Sequence, residues 1–488
     1  MKLHARLSLS VLTSKQWSAK QFLFFFCVYF ISILVLALPD GSATRLSPLT
    51  IPNPECSEIA VPAEVIKNCN PVLTLYANAK AHDYLLFFGG GDPSSYVKGG
   101  LLLAGKEVSG LSDGSGDIAK QSVVKRLKLI NTIGFGMWPP GMFFLNALPL
   151  SVSSEFPLGL YQVIVTATLW AVAFALIASF LALRYKPWIT IFFPSLIMVF
   201  PLFQIYLIRY GVMYSETYGA ALMVIGFTFL LLNLHRKSSN ILMIVAGTTF
   251  ALSCFVRSQM LPVVIGVSLI FVLRHFIQKR PFSADEINTD HSIKSINLIF
   301  FLIAFYLPIG GYMVANHGAL FHADYMWEYP FKIAAFPNAG AANFVAQGGI
   351  RAACEVDIKN CAKHNEEIKV HGQLNHAKSE VIKAFIHHPI RFSIYKLPIA
   401  WNYWLEDPRE SGYRLDNIFI SFLFLICLFY MVFQRLWLIL SLTLSTIALL
   451  FAPPFLLHFE ARYFYLTKVF LLFLPIWLVL FKSDNNLG

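Results

Sequence analysis

A few polar residues of this chain stand directly beside long apolar stretches, and their types are those that catalysis uses. Asp92 and Tyr96 follow three glycines, and a Trp-Pro-Pro-Gly sequence lies farther along at 138–141. A carboxylate in such a place can take the proton of a reacting hydroxyl. This combination favours an enzyme over a pore, with Asp92 as the candidate base and Asp83 as the alternative.

Asp92 also has a structural interpretation. The sequence Asp-Pro-Ser after a glycine turn is typical of a helix start, because aspartate is a favoured N-cap residue. The two interpretations are compatible, since a capping carboxylate is held in one place.

Two arginines are candidates for holding an anion. Arg257 stands between two apolar runs, and a charge at membrane depth is costly enough to indicate a function. Arg462 lies in the sequence Glu-Ala-Arg-Tyr at 460–463. A guanidinium can contact two phosphate oxygens at once, which lysine cannot do. Arg257 could instead be an ordinary interfacial arginine, and Arg462 could instead form a purely structural ion pair with Glu460 or Glu216.

A second carboxylate, Glu216, lies in the sequence Tyr-Ser-Glu-Thr at 214–217. It is a candidate catalytic residue, and it could instead orient a neighbouring group or stabilise the turn. Tyr96 and Tyr463 are candidates for hydrogen bonding to phosphate or sugar. Tyrosines near a membrane surface often serve only as anchors, so that alternative stays open.

The elements that position these residues are expected to be membrane helices. Of the 488 residues, 57% are hydrophobic and 13% are charged, whereas about 25% are charged in a typical soluble domain. A spanning helix needs about 20 mostly apolar residues. We therefore expect an all-α polytopic membrane protein with about ten transmembrane helices. The expected spans are 22–38, 158–183, 189–206, 218–232, 241–255, 261–273, 296–315, 418–433, 436–452 and 469–481.

The first span follows several basic residues, a pattern that a secretory signal peptide shares. Its apolar run exceeds the usual signal core of about 7–15 residues, and Leu-Pro-Asp at 38–40 is a poor cleavage site. We interpret the span as an uncleaved anchor.

Basic residues in the amino terminus and the short connections place those segments in the cytoplasm. Two long segments then lie outside, and their lysines do not count against this assignment because long loops translocate largely regardless of charge. Topology explains the net charge of +11 without a nucleic acid partner. The expected divisions are the cytoplasmic amino terminus 1–21, the first helix 22–38, the first outer loop with the catalytic motif 39–156, helices 2–7 in 157–315, the second outer loop 316–416, helices 8–10 in 417–482 and a cytoplasmic tail 483–488.

The cysteines agree with this orientation, since three fall in expected helices and four form two close pairs in the outer loops. Close pairs on the translocated side indicate two disulfides in an oxidising compartment. A zinc site is the alternative, but neither spacing is of the short zinc-binding type. The absence of an Asn-x-Ser/Thr acceptor favours a bacterial periplasm. The expected pairs are Cys56 with Cys69 and Cys354 with Cys361; the helical cysteines are Cys27, Cys254 and Cys427.

The two outer loops are too long to be passive connections. Residues 93–104 and 119–129 are expected to form short helices, and 366–386 has helical spacing. Segment 390–405 alternates basic and aromatic residues and is expected to form a helix at the membrane interface. It is either an aromatic belt that seats the protein or a wall for a lipid-linked substrate.

The motifs as a set resemble the GT-C superfamily of membrane glycosyltransferases, which use sugars linked to polyprenyl phosphate. Asp92-x-x-x-Tyr96, with small residues continuing to Gly105, is similar to the family's acidic first outer loop, and Trp-Pro-Pro-Gly is similar to its Pro-Pro turn. Met-Tyr-Ser-Glu-Thr at 213–217 and His-Phe-Glu-Ala-Arg-Tyr at 458–463 are similar to its Ser-Glu-Thr and Glu-x-Arg-Tyr motifs. Their order matches over nearly the whole chain, with a lean toward the bacterial lipid-to-acceptor transferases.

The resemblance implies transfer of a sugar from a carrier such as undecaprenyl phosphate to a periplasmic lipid, glycan or protein acceptor. The site would face the periplasm from the bacterial inner membrane, and Asp92 and Glu216 would be catalytic. No metal or other cofactor is assigned, although a divalent ion held by these two carboxylates stays open. The residues expected to bind substrate are Tyr96, Arg257, Glu460, Arg462 and Tyr463.

Two other functions are weighed against this one. A transporter or lipid-sugar flippase would place charges deep in several helices and show paired repeats, whereas no repeat is visible here. A surface-polysaccharide polymerase or ligase acting on a diphosphate-linked glycan could share outer-loop arginines, but it would not require Asp92 together with the Trp-Pro-Pro-Gly turn. The sequence has neither GxxxxGK(S/T) nor GxGxxG, which argues against nucleotide-driven pumping.

Overall fold

The computed structural model describes residues 19–37, 80–81, 84, 92–108, 118–132, 138–182, 185–209, 214–235, 239–278, 295–316, 383, 385–405, 414–456 and 461–482. All regular structure within these ranges is helical. A π-helical segment (Leu202–Arg209) and two 3-10 turns (Ile118–Lys120 and Ala461–Phe464) accompany the α-helices. The α-helices are α1 (Ala19–Ala37), α2 (Asp92–Leu103), α3 (Val123–Thr132), α4 (Gly141–Val152), α5 (Leu158–Leu181), α6 (Pro187–Met198), α7 (Ser215–His235), α8 (Asn240–Val256), α9 (Met260–Gln278), α10 (Ser295–Ala315), α11 (Pro389–Leu405), α12 (Arg414–Phe433), α13 (Trp437–Leu456) and α14 (Tyr465–Lys482).

Seven of the described helices are long and apolar enough to cross a membrane: α1, α5, α7, α10, α12, α13 and α14. The expected fold class is confirmed in a coarser form, as an all-helical protein with seven helices that could span a membrane among the described residues. The other three expected spans correspond to α6, α8 and α9, whose apolar stretches are shorter. The number of about ten spans therefore stays a prediction.

Two expected helices are divided. The span 189–206 breaks where α6 ends ahead of Pro201 and the π-helical segment follows. Proline lacks an amide proton and disfavours helical geometry in the preceding residue, which ends the helix. The outer helix 119–129 is a 3-10 turn followed by α3. α3 begins after Ser122, whose hydroxyl accepts a hydrogen bond from the backbone N–H of Lys125.

The core lies between α5, α7 and α14. Trp170 and Phe174 of α5 contact Phe473 of α14, and the Trp170 indole N–H donates to the hydroxyl of Thr217 on α7. Tyr29 of α1 packs against α5 from the other side. Outer helices such as α10 and α12 keep leucine, isoleucine and phenylalanine side chains exposed, as surfaces that face lipid require.

The short helices α2 and α4 form a second layer at the start of α5 and α7. Tyr96, Phe143 and Tyr218 are buried together in this layer. Trp138, which begins the Trp-Pro-Pro-Gly turn, lies edge-on to the Tyr96 ring with 6.3 Å between the centroids. The turn and the candidate loop are thus packed against each other.

The interfacial segment 390–405 forms α11, as expected for its secondary structure. Its exposed positions include the apolar Ile390 and Ile394 and the charged Arg391, whereas Lys396 is fully buried. Whether α11 lies at a membrane interface stays a prediction.

Several expectations fall outside the described residues, and the two disulfides are among them. Cys27, Cys254 and Cys427 lie in described helices as predicted. The residues outside the description are Cys56, Cys69, Cys354, Cys361, Asp83, Glu460 and most of 366–386.

Candidate functional site

Four charged side chains from distant parts of the chain meet at one end of the helix bundle. α7 and α8 are consecutive and packed together, so the start of α7 lies beside the end of α8. Glu216 stands in the first turn of α7, and Arg257 directly follows α8. Asp92 begins α2, and Arg462 lies in the 3-10 turn before α14. We call these four residues the charge cluster.

Glu216 and Arg257 form the buried half of the charge cluster. Nη2 of Arg257 lies 3.1 Å from Oε1 of Glu216, and the two side chains are 9% and 3% exposed. A buried guanidinium without an anion would be costly, so each charge depends on the other. Burial has the largest single influence on the pKa of Arg257 and lowers it, but the attraction of Glu216, together with Tyr96 and Tyr463, raises that pKa overall. Arg257 therefore stays charged.

Asp92 and Arg462 form the more accessible half. Nη1 of Arg462 contacts Oδ2 of Asp92 across 370 residues of sequence, and these side chains are 16% and 15% exposed. Nε of Arg462 also lies 3.7 Å from Oε1 of Glu216. One guanidinium is thus shared between two carboxylates, and the four formal charges of the cluster cancel.

Tyrosine rings cover both guanidiniums. The centroid of the Tyr463 ring lies 5.2 Å from the guanidinium carbon of Arg257 and 5.6 Å from that of Arg462. The Tyr214 ring lies 5.7 Å from Arg462. These are cation–π distances. Nη1 of Arg462 is directed at the Asp92 carboxylate, and the Arg257 guanidinium lies beside Glu216.

Tyr96 is buried beside the charge cluster, with 1% of its surface exposed. Its hydroxyl donates a hydrogen bond to Oγ of Ser215 at 3.1 Å. Burial, together with the nearby Asp92 and Glu216, raises the pKa of Tyr96 well above its usual value. Tyr96 therefore stays protonated.

Two residues that contact Arg257, Ser215 and Gln259, are not predicted from the sequence. Nη1 of Arg257 donates to Oγ of Ser215 at 3.2 Å, and Nε donates to Oε1 of Gln259 at 3.4 Å. Ser215 lies inside a motif that sequence inspection singles out, and its place next to Glu216 is the signal that could have found it. For Gln259, the only such signal is that it lies two residues after Arg257 in the sequence.

Two glycines permit the close approach that this arrangement requires. A Cβ at Gly141, in the Trp-Pro-Pro-Gly turn, would lie 2.6 Å from the carbonyl oxygen of Phe255. A Cβ at Gly219, one turn after Ser215, would lie 3.0 Å from Cβ of Arg257. The Trp-Pro-Pro-Gly turn therefore packs directly against the end of α8 that carries Arg257.

Six of the predicted site residues lie in this one network of contacts, and the seventh, Glu460, is outside the described residues. Their roles stay predictions. Within the described part of the chain, no group of three or more His, Cys, Asp or Glu side chains could hold a metal ion. Arg462 stands between the two carboxylates where a bridging divalent ion would bind. The six are Asp92, Tyr96, Glu216, Arg257, Arg462 and Tyr463.

Comparisons with known protein families, with curated proteins and with solved structures give no match for this chain. An assignment of activity therefore depends on the motifs and on the geometry and chemistry of the site.

Proposed function

We propose that this chain is an integral membrane glycosyltransferase of the GT-C type. It would move a sugar from a polyprenyl-phosphate carrier to a lipid, glycan or protein acceptor. The observation that carries this proposal is the sharing of Arg462 between Asp92 and Glu216. An accessible guanidinium beside an accessible carboxylate supplies the two groups that the reaction needs, a cation for the phosphate and a base for the acceptor hydroxyl.

The proposed reaction begins with an exchange of partners at Arg462. The donor phosphate binds the N–H groups of Arg462 in place of Asp92, because a guanidinium donates hydrogen bonds to phosphate and carboxylate oxygens in the same geometry. Asp92 then takes the proton of the acceptor hydroxyl as that oxygen attacks the anomeric carbon. The bond from the anomeric carbon to the phosphate oxygen breaks, and polyprenyl phosphate leaves with the bonding electrons. Arg462 holds the new negative charge.

Glu216 and Arg257 have a supporting part in this proposal. One oxygen of Glu216 accepts from Ser215 and the other faces two guanidiniums, while the side chain is 3% exposed. Such a carboxylate is better suited to holding the arginines than to touching a sugar. Arg257 adds a fixed positive charge behind Arg462, which favours an anion at the accessible pair.

We place the site on the periplasmic face of the bacterial inner membrane. The starts of α7 and α14 and the end of α8 share one end of the bundle, and the distribution of basic residues assigns that end to the outside. The variant Glu155→Cys puts a thiol at an exposed position between α4 and α5. Labelling of this thiol by a membrane-impermeant reagent in intact spheroplasts supports the assignment, and labelling only after lysis contradicts it.

Transfer by the purified protein tests the activity. The protein is given radiolabelled sugars on polyprenyl phosphate together with a membrane extract that supplies acceptors. We expect Asp92→Asn to lower the transfer rate by about 100-fold or more while the protein stays folded. Glu155→Gln, which breaks the exposed ion pair with Lys80, is the matched control and should transfer normally. Full activity of Asp92→Asn would remove Asp92 as the base. Flux of substrate through vesicles without any transfer would favour a transporter.

A further inference from the structure

The hydroxyl of Ser215 stands at the centre of the contacts behind the charge cluster. Ser215 is 1% exposed. Its Oγ lies 3.1 Å from the Tyr96 hydroxyl, 3.2 Å from Nη1 of Arg257 and 3.3 Å from Oε2 of Glu216. Three side chains from α2, α7 and the end of α8 therefore meet at one oxygen atom.

The direction of each of these hydrogen bonds is fixed by chemistry. A serine hydroxyl has one proton to donate and two lone pairs to accept with. Arg257 can only donate, and the Glu216 carboxylate can only accept. Ser215 therefore gives its proton to Glu216, and Tyr96 must donate its own. All the hydrogen-bonding capacity of Ser215 is then in use.

This arrangement decides which oxygen of Glu216 faces the arginines. Because Oε2 accepts the proton of Ser215, Oε1 is left for the guanidiniums. Oε1 lies 3.1 Å from Nη2 of Arg257 and 3.7 Å from Nε of Arg462. The same Ser215 hydroxyl also accepts a hydrogen bond from Nη1 of Arg257.

We propose that Ser215 is a positioning residue of this site, which sets Glu216 and Arg257 in the orientation that places Arg462 between the two carboxylates. Its effect on catalysis rests on the proposed function. Tyr96 acts through Ser215 in this assignment, because its single proton is already donated and is not available to a sugar or phosphate.

The first experiment compares transfer by Ser215→Ala, Ser215→Thr and Ser179→Ala. Ser179 is a suitable control because it is fully buried in α5 and its hydroxyl has no hydrogen-bond partner among the described residues. We expect Ser215→Ala to lower kcat by about 10- to 100-fold, as loss of alignment does. Threonine keeps the hydroxyl and should restore most of the rate, and Ser179→Ala should match wild type. Wild-type kcat in Ser215→Ala would overturn the proposal.

A second experiment is independent of the donor. Melting temperatures are measured for Ser215→Ala, Tyr96→Phe and the double variant. Since both single changes remove the same hydrogen bond, the double variant should melt close to the lower of the two. Shifts that simply add would overturn the proposal. The pair Ser179→Ala with Tyr96→Phe should be additive.

The two experiments separate the two ideas. If wild type transfers no sugar, the proposed function fails and the melting cycle alone decides on Ser215. If Ser215→Ala does not fold, Tyr96→Phe and Ser215→Thr give the same test through kcat. Reduced kcat in Tyr96→Phe with a near-normal rate in Ser215→Thr supports the assignment. A near-normal kcat in Tyr96→Phe with a reduced kcat in Ser215→Thr contradicts it.

Discussion

The two ion pairs of the charge cluster contain the same kinds of groups but lie in different surroundings. Glu216 and Arg257 are 3% and 9% exposed, whereas Asp92 and Arg462 are 15% and 16% exposed. Removing one partner of a buried pair leaves a charge with no compensation, which is strongly destabilising. A pair that solvent reaches can exchange its partner for water or a ligand. The comparison predicts that the buried pair determines stability and the accessible pair determines activity.

The largest effect is expected from breaking the buried pair. Glu216→Leu leaves Arg257 buried without its closest anion and should lower the free energy of unfolding by about 3–5 kcal/mol. Adding Arg257→Met removes the orphaned charge and should recover part of that loss. Thermal unfolding in detergent, followed by tryptophan fluorescence, measures both. If the double variant is less stable than Glu216→Leu, then the pair is not the main contribution of these residues to stability.

A somewhat smaller effect is expected where the Trp-Pro-Pro-Gly turn supports the buried pair. Gly141→Ala would bring a methyl group to 2.6 Å from the Phe255 carbonyl oxygen, so α4 and the end of α8 must separate. Such overpacking costs about 1–3 kcal/mol.

Gly310→Ala provides the matched control for that change. It lies within α10, and its Cβ would have no atom within 4 Å. Alanine is favoured over glycine in a helix by up to about 1 kcal/mol, so this variant should melt at or above the wild-type temperature. Equal losses in the two variants would mean that the contact at Gly141 is not tight.

The same substitution, arginine to lysine, can be made in each ion pair, and its effects on stability can be compared. Arg257→Lys keeps the charge but cannot hold Ser215, Glu216 and Gln259 at once, and it should lose about 1.5 kcal/mol or more. Arg462→Lys should lose less, about 1 kcal/mol, because this pair is less buried and lysine can still contact Asp92.

The transfer rate should respond differently to these two variants. Lysine cannot bind two phosphate oxygens as a fork, so Arg462→Lys should lower the rate strongly although the protein melts near the wild-type temperature. Unfolding curves and transfer rates of both variants, collected in parallel, check this. A stable and fully active Arg462→Lys protein would remove the distinction between the pairs.

Most of the helices could be predicted from the sequence because an apolar run is itself the physical requirement for crossing lipid. The start of α8 was expected at 241 and that of α10 at 296, and each helix begins one residue earlier. The division of span 189–206 is missed when hydropathy alone is followed, because the residues are apolar on both sides of Pro201, the proline that ends α6. An apolar run indicates that a segment is buried or contacts lipid, but it does not distinguish an α-helix from a π-helix.

The site residues could be found because a charge next to an apolar run is costly and therefore conspicuous. Their pairing could not be predicted, because Asp92 and Arg462 are 370 residues apart and nothing in the sequence around either residue indicates the other. The role of Ser215 was equally hidden. Thr217, two residues later, carries a similar hydroxyl and accepts from Trp170 instead. Sequence shows which groups are present, but their partners depend on how the helices rotate against each other.

The last prediction concerns a buried cation outside the charge cluster. Lys396 on α11 is fully buried, and burial lowers its pKa to about 7. In Arg257 the attraction of Glu216, together with Tyr96 and Tyr463, overcomes burial and raises the pKa. In Lys396 burial prevails, so this side chain should give up its proton near neutral pH.

Stability should therefore depend on pH through Lys396. Above about pH 7 the unfolded chain keeps a proton, with an ordinary pKa near 10.5, that the folded chain has released. Folding stability then rises with pH, by about 1 kcal/mol between pH 7 and pH 8. Lys396→Met removes this contribution, so the stability of the variant relative to wild type should be highest below pH 7 and should fall as pH rises. Melting curves of both proteins from pH 6 to pH 9 measure the difference, in which the titrations common to both cancel. A constant difference across that range would show that Lys396 keeps its proton in the folded protein, as Arg257 does.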